Sequence, residues 1–504
     1  MVDDRRCKGV NIEGNGSAEL ESRADDGTFV TTAADPAPTA TAGLRRVLGV
    51  RDLVLFYFVT TFSLRWVAAA SAAGPGAIGL WVLAAVCFFI PLVFTVLELS
   101  SRHPGEGGMY LWSKAAFGPF AAFLTGWSYW ASNLPYFPGL LFFAAGNALF
   151  MGGAEAQALS ASSTYFFVAA LAGITLAAGL NVVGLGVGKW LTNAGGVANW
   201  VPLTLLFAFA GYSWLHQGSA TPLTFASIVP DTSLKDVIML STIAFAYAGV
   251  ESASTMGDEI ENPRRTVPRA ILWATVLVAG FYTFGTLAVL LALPKEQVSG
   301  LQGVMQAIQV MAGKAGALWL VPLLAFCVTL NALGAVGGWF AATARLPFVA
   351  GLDAFLPAAF AKVHPRWHTP HVAIIVQAVA AAGFIVLGQA GTTVRGAYEA
   401  LVSMAIIVNF VPFLYMFAAM YRLQREPGGP EVIRVPGGPV VARLLACMGF
   451  AVSALAIVLA CVPAAGEPNK VFAVTKIVGA SAAIIAVGAG VYWWGQRGRR
   501  ARVA

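Results

Sequence analysis

The sequence predicts an all-α polytopic membrane protein of about twelve transmembrane helices, and three observations lead there. The 504 residues are 58% hydrophobic and only 11% charged, where soluble domains carry roughly 25% charge. The apolar residues fall into runs of about 20, the length of helix that crosses roughly 30 Å of hydrocarbon. Lys and Arg mostly avoid those runs and gather in alternate connections between them. This composition excludes a soluble enzyme. It also excludes nucleic-acid binding despite the net charge of +7, because the basic residues sit between spans instead of on one folded face.

Residues 1–43 are rich in Asp, Glu, Gly, Ser and Thr and lack the apolar stretch of a cleavable signal, so they read as a disordered cytoplasmic tail. The spans follow at roughly 52–72, 78–99, 119–150, 163–185, 193–215 and 236–256, then 268–293, 316–344, 371–389, 396–420, 440–462 and 472–494. Residues 495–504 form a basic tail. With the N-terminus inside, 24 of the 31 Lys and Arg residues lie on the cytoplasmic side and six on the other, leaving Arg65 within the first span. The positive-inside rule then puts both termini in the cytoplasm and the chain in the cytoplasmic membrane, with the lipid bilayer as its surroundings.

Backbone polar groups cannot be left open to lipid, so a helix interrupted at membrane depth lines a cavity or is buried in protein. The first span carries the polar stretch Thr60-Thr61-Phe62-Ser63 and then Arg65, too far from its end to reach water easily. The sixth span gives way at Gly249, Glu251, Ser252 and Ser254, the pattern of a helix that unwinds halfway. Glu251 is the strongest single functional candidate, because a carboxylate at that depth is costly unless paired, solvated or protonated. Arg65 and Glu251 either pair with each other to fix helix packing or serve a ligand.

At this point the residues resemble a family. FAYAGVESASTMGDEIENPRRTVPRAI is similar to the sixth-span signature of the amino acid-polyamine-organocation superfamily. ELSSRHPGEGGMYLWSKAAFGPFAAFLTGWSYW and LGAVGGWFAATARLPFVAGLDAFLPAAFAKVHPRWHTP extend the likeness over most of residues 44–420. The resemblance implies a five-plus-five inverted-repeat core with broken first and sixth helices, residues 44–215 and 216–420, plus two peripheral helices in 421–494, working by alternating access. It implies substrate contacts from the backbone of Thr60, Thr61, Phe62 and Ser63 and of Ala246 through Gly249, including Ala248. It places an aromatic gate at Phe245, a gating or coupling carboxylate at Glu251, and an aromatic wall at Trp339. Tyr129 and Asn133, one turn apart and on one face, match cavity-facing positions, and Ser403 is a further candidate. Two departures stand out: Thr-Thr-Phe-Ser-Leu-Arg replaces the usual glycine-rich motif of the first helix, leaving Arg65 to supply part of carboxylate capture. The fifth span also shows Pro202 near the place where proton-coupled members carry a lysine.

Other constellations carry less. Cys7 lies in the tail, and Cys87, Cys327, Cys447 and Cys461 lie in apolar runs, without disulfide or metal spacing. The histidines lack metal partners, and PGEGG lacks the ending of a phosphate loop. No metal, cofactor or ATP coupling is expected. Glu259, Glu261, Arg264 and Arg265 form either a solvated loop or an ion-pair network that stabilises one access state.

The function expected is secondary transport of a neutral or acidic amino acid, by exchange or ion-coupled uptake. A polyamine or cationic amino acid exchanger and a transport-inactive sensor of the same fold are the alternatives. Arg65 argues against polyamines through like-charge repulsion; Glu251 argues the other way. An intramembrane enzyme is disfavoured because no nucleophile or metal set accompanies those two groups. The sequence leaves open whether the chain pairs as a homodimer.

Overall fold

The structure, a computed structural model, describes residues 49–503 except 105–106, 232, 256–259, 261–262, 353–354, 464–466 and 468. Among the described residues the long helices follow the order of the expected spans. The first span is the pair α1 (Val50–Thr61) and α2 (Leu64–Ala73). α3 (Gly76–Ala84), a π-turn at Ala85–Phe89 and α4 (Ile90–Arg102) make the second. After α5 (Met109–Phe117), the third comprises α6 (Pro119–Ala131) and α7 (Asn133–Ala148); the short α8 (Gly153–Gln157) precedes the fourth, α9 (Ser163–Val183), and the fifth, α10 (Leu185–Gln217).

The short α11 (Phe225–Ile228) leads to α12 (Leu234–Ala246), in the place of the sixth span, and α13 (Pro263–Ala292) is the seventh. α14 (Gly303–Lys314) precedes the eighth, α15 (Val321–Leu352), and then come α16 (His371–Gln389), α17 (Val394–Leu423), α18 (Gly438–Ala460) and α19 (Lys470–Val503). Among the described residues ten helices are long and apolar enough to cross a membrane, and α1 with α2 make an eleventh. The twelfth place is taken by α12, which stops after 13 residues because its span is interrupted. Helices such as α5 and α14 lie in connections that hydropathy alone reads as loops.

The two interruptions have local causes. Thr60 turns its hydroxyl back to the Phe56 carbonyl at 2.9 Å, the competition with helix bonding that Ser and Thr side chains offer. Phe62 and Ser63 are then extended, with φ/ψ of −83°/131° and −144°/133°. Ser63 caps α2, its Oγ accepting from Arg65 N–H at 3.4 Å, and the chain bends by 49° between α1 and α2. In the sixth span α12 ends at Ala246, Gly249 takes φ +138°, and a 3₁₀ turn runs over Val250–Thr255. Gly249 lies against the Thr60 carbonyl, so the two breaks meet.

α10 and α15 cross at close range. A Cβ on Gly195 would lie 2.8 Å from Leu330 O, and one on Gly334 would lie 2.7 Å from Leu191 O, so only hydrogen at both positions permits this approach, as at small-residue interfaces of membrane helices. Thr192 Oγ1 donates to Gly334 O at 3.2 Å and Asn331 Nδ2 to Gly195 O at 3.1 Å. At one end of the bundle Glu98 is buried; it accepts from Arg102 Nη2 (2.7 Å), Gln424 Nε2 (2.6 Å) and Val435 N–H (3.0 Å). That carboxylate fastens α4 to the end of α17 and to the segment leading into α18.

Candidate functional site

The breaks of the first and sixth spans open onto a cavity of about 120 Å³, where one water needs roughly 10–15 Å³. The first span contributes Val59 through Ser63 and Trp66, the sixth Phe245, Ala248, Gly249 and Glu251. The third adds Tyr129, Ser132, Asn133, Tyr136 and Leu140, the eighth Asn331, Ala335 and Trp339. Thr192 and Gly196 of α10 and Asn409 of α17 complete the wall. A pocket among apolar helices whose aromatic and aliphatic wall is studded with hydroxyl, amide and carboxylate groups, beside main-chain groups released by two breaks, suits a small solute that carries both donors and acceptors.

Glu251 is 3% exposed and holds the sixth-span break together. Its Oε2 accepts from Gly249 N–H at 2.7 Å and its Oε1 from the Tyr129 hydroxyl at 3.3 Å. The same carboxylate therefore shapes the unwound turn and ties it to the third span. Asn133 Nδ2 donates to Tyr129 O at 2.8 Å. Ser132 Oγ donates to the same carbonyl at 2.9 Å and lies 3.2 Å from Asn409 Oδ1. These bonds set the side chains where α6 gives way to α7. Aromatic rings shut one end: Phe245 stands edge-on to Trp66 at 5.5 Å and to Tyr136 at 6.2 Å between centroids.

Arg65 differs from its expected place. It is fully buried and stands behind Trp66 and Tyr136, outside the cavity wall. Its guanidinium lies 4.3 Å from the Trp66 ring, 5.0 Å from Tyr136 and 5.2 Å from Tyr398, and Nε donates to the Tyr398 hydroxyl at 3.0 Å. Among the described residues Nη1 and Nη2 have no hydrogen-bond partner. The Arg65–Glu251 pair does not form: Arg65 is caged by rings and Glu251 is engaged at the break. Arginine is suited to such stacking because its charge is spread over a planar, weakly hydrated group.

Of the remaining candidates, Thr60, Thr61, Phe62, Ser63, Tyr129, Asn133, Phe245, Ala248, Gly249, Glu251 and Trp339 all line the cavity, whereas Ala246 and Ser403 do not. Ala246 turns its carbonyl to the Tyr282 hydroxyl, 3.2 Å away. Ser403 lies on another face of α17 from Asn409, six residues and roughly 240° around the helix. The sequence points to Trp339 but not to Thr192 and Gly196 of α10 or Asn331 and Ala335 of α15, which also line the cavity, although Thr192, Gly195 and Gly196 facing Asn331 and Gly334 are a legible run of small and polar residues. Glu259 and Glu261 lie outside the described residues, and of their neighbours Arg265 is exposed.

The profile of the Amino acid permease family matches residues 48–483. The chain belongs to this family. Among similar proteins, an uncharacterized transporter of Legionella pneumophila is 25% identical over 84% of this chain and 92% of its own length. A probable agmatine/putrescine antiporter of Lactococcus lactis is 24% identical, covering 76% of this chain and 81% of its own. A glutamate/gamma-aminobutyrate antiporter of the same organism is 23% identical, over 76% and 77%. This permease is thus a multi-pass membrane transporter and not an enzyme, as the sixth-span motif implied.

Proposed function

We propose that, within the transport of amino acids or related organic cations supported by its family and relatives, this permease carries a neutral or acidic amino acid by alternating access. The observation that carries the reading is the meeting of two broken spans at a small cavity of mixed polar and aromatic lining, with Arg65 directly behind its aromatic end. The start of α2, which begins at Leu64 beside the first break, offers a positive helix end to a carboxylate. Carbonyls and the Glu251 carboxylate on the sixth-span side suit an ammonium group. The Arg65 guanidinium, whose Nη1 and Nη2 have no hydrogen-bond partner among the described residues, raises the potential of that end. A compact zwitterion satisfies both sides, and an added negative charge gains further.

Glu251 favours a second reading, exchange of a cationic amino acid or polyamine, and one relative is named a probable agmatine/putrescine antiporter. The two readings separate in proteoliposomes loaded with unlabelled L-alanine, L-glutamate or putrescine and challenged with the labelled compounds. Counterflow of L-alanine or L-glutamate supports the proposal. Counterflow of putrescine alone supports the second reading, and no uptake or exchange of any amino acid or amine overturns both. The excess of Lys and Arg in alternate connections supports a topology with both termini in the cytoplasm of a bacterial-type cell. The permease core is read as two inverted repeats, 44–215 and 216–420, with α18 and α19 peripheral.

A further inference from the structure

A residue outside the cavity joins the two breaks. Tyr282 of α13 is fully buried, its ring stacked on Trp81 at 4.2 Å and 4° between planes. Its hydroxyl accepts from Ser63 N–H at 3.2 Å. The same oxygen lies 2.6 Å from Thr61 O and 3.2 Å from Ala246 O. Thr61 and Ser63 flank the first break, and Ala246 is the last helical residue before the second. Each of these three main-chain groups has lost its intrahelical partner at the interruption, and each is served by one phenol.

A phenol has a single proton to donate, so it serves Thr61 O or Ala246 O at one moment and not both. From this geometry we infer that Tyr282 is a positioning residue that couples the breaks: one hydroxyl, shared among three freed backbone groups, makes the first and sixth spans rearrange together. When the proton moves from Thr61 O to Ala246 O, the fastening passes from one broken span to the other without either being left wholly loose. The stack on Trp81 keeps the oxygen in place while this happens, and Trp81 is itself held by Nε1–H donating to Thr286 Oγ1 at 2.9 Å. The inference rests on the alternating-access reading for its role in transport, though the coupling itself is a property of the empty protein.

Tyr282→Phe retains the ring and removes the oxygen. Hydrogen–deuterium exchange of the purified permease in lipid nanodiscs, without substrate, reads the peptides spanning 57–66 and 243–252. Both are expected to exchange about three- to tenfold faster in the variant, the value of roughly one hydrogen bond, while α9 stays at the wild-type rate. Tyr247→Phe is the comparison: its hydroxyl donates to Trp81 O at 3.1 Å and is bonded to neither freed carbonyl, so its loss is expected to leave 57–66 unchanged. Unaltered exchange at either break in Tyr282→Phe, or an equal rise in both variants, overturns the coupling. In proteoliposomes the probe that the wild type carries, among L-alanine, L-glutamate and putrescine, is expected to lose turnover in Tyr282→Phe with KM moved much less. A raised KM with wild-type turnover overturns the role in transport. If the wild type moves none of the probes, the functional reading fails, and the exchange experiment still decides whether Tyr282 joins the breaks.

Discussion

Gly249 lies so close to Thr60 that a Cβ built on it would stand 2.7 Å from the Thr60 carbonyl oxygen and 3.0 Å from Thr61 Oγ1. Its φ of +138° is a second reason for glycine, because L side chains rarely adopt that conformation. The contact brings the two interrupted spans together, and the cavity opens beside it.

Gly249→Ala is therefore expected to act on the site more than on the bundle. Backbone strain of about 1–3 kcal/mol adds to a clash with main chain that cannot swing aside. Transport in proteoliposomes should be lost, while a thermal unfolding scan shows a lowered but cooperative transition. Wild-type transport by the alanine variant would show that the breaks can separate without consequence.

For Glu251→Gln the bonds give the sign. The carboxylate accepts at both oxygens, from Gly249 N–H and from Tyr129. An amide keeps one acceptor and turns a donor group toward one of those donors. Losing a charge-assisted bond of about 1.5–3 kcal/mol should lower turnover by roughly ten- to a hundredfold with expression preserved. Transport at the wild-type rate in the Gln variant would remove Glu251 from any gating role.

How much of this was legible before the structure differs from residue to residue. Interruptions show in the chain because they have local causes: Thr60 through Ser63 favour caps and extended backbone, and Gly249 with Glu251 breaks an apolar run. Tyr129 and Asn133, one turn apart, both line the cavity. Ser403, a candidate from the family likeness, does not; α17 is buried over most of its length, so no polar stripe marks its inner side. Arg65 was located in depth but not in company. Its partner Tyr398 is 333 residues away, and no spacing rule reaches that far. Tyr282 was missed for the same reason, its hydroxyl bonding groups 221 and 36 residues distant.

The end of the bundle supplies a control. Glu98 collects three donors from α4, the end of α17 and the segment before α18, none of which lines the cavity. Glu98→Ala leaves Arg102 and a buried Val435 N–H without that acceptor, and an uncompensated buried partner costs about 1–3 kcal/mol. Melting temperature should fall and exchange of residues 426–436 should rise, with the KM of the transported probe unchanged. A KM shift of several-fold would mean that this network reaches the site.

Arg65 sets the final expectation. Arg65→Met keeps an unbranched side chain of similar reach among Trp66, Tyr136 and Tyr398 while deleting the charge. If that charge acts on the cavity by its field, the variant should still fold, should bind L-glutamate about tenfold more weakly in competition assays, and should admit putrescine more readily, since the like-charge repulsion is gone. The discrimination between the two probes is the measured quantity, because loss of packing lowers activity toward both alike and leaves their ratio where it was. An unchanged ratio in a folded, active Met variant would make Arg65 a clamp for the rings around it and return the question of substrate charge to Glu251.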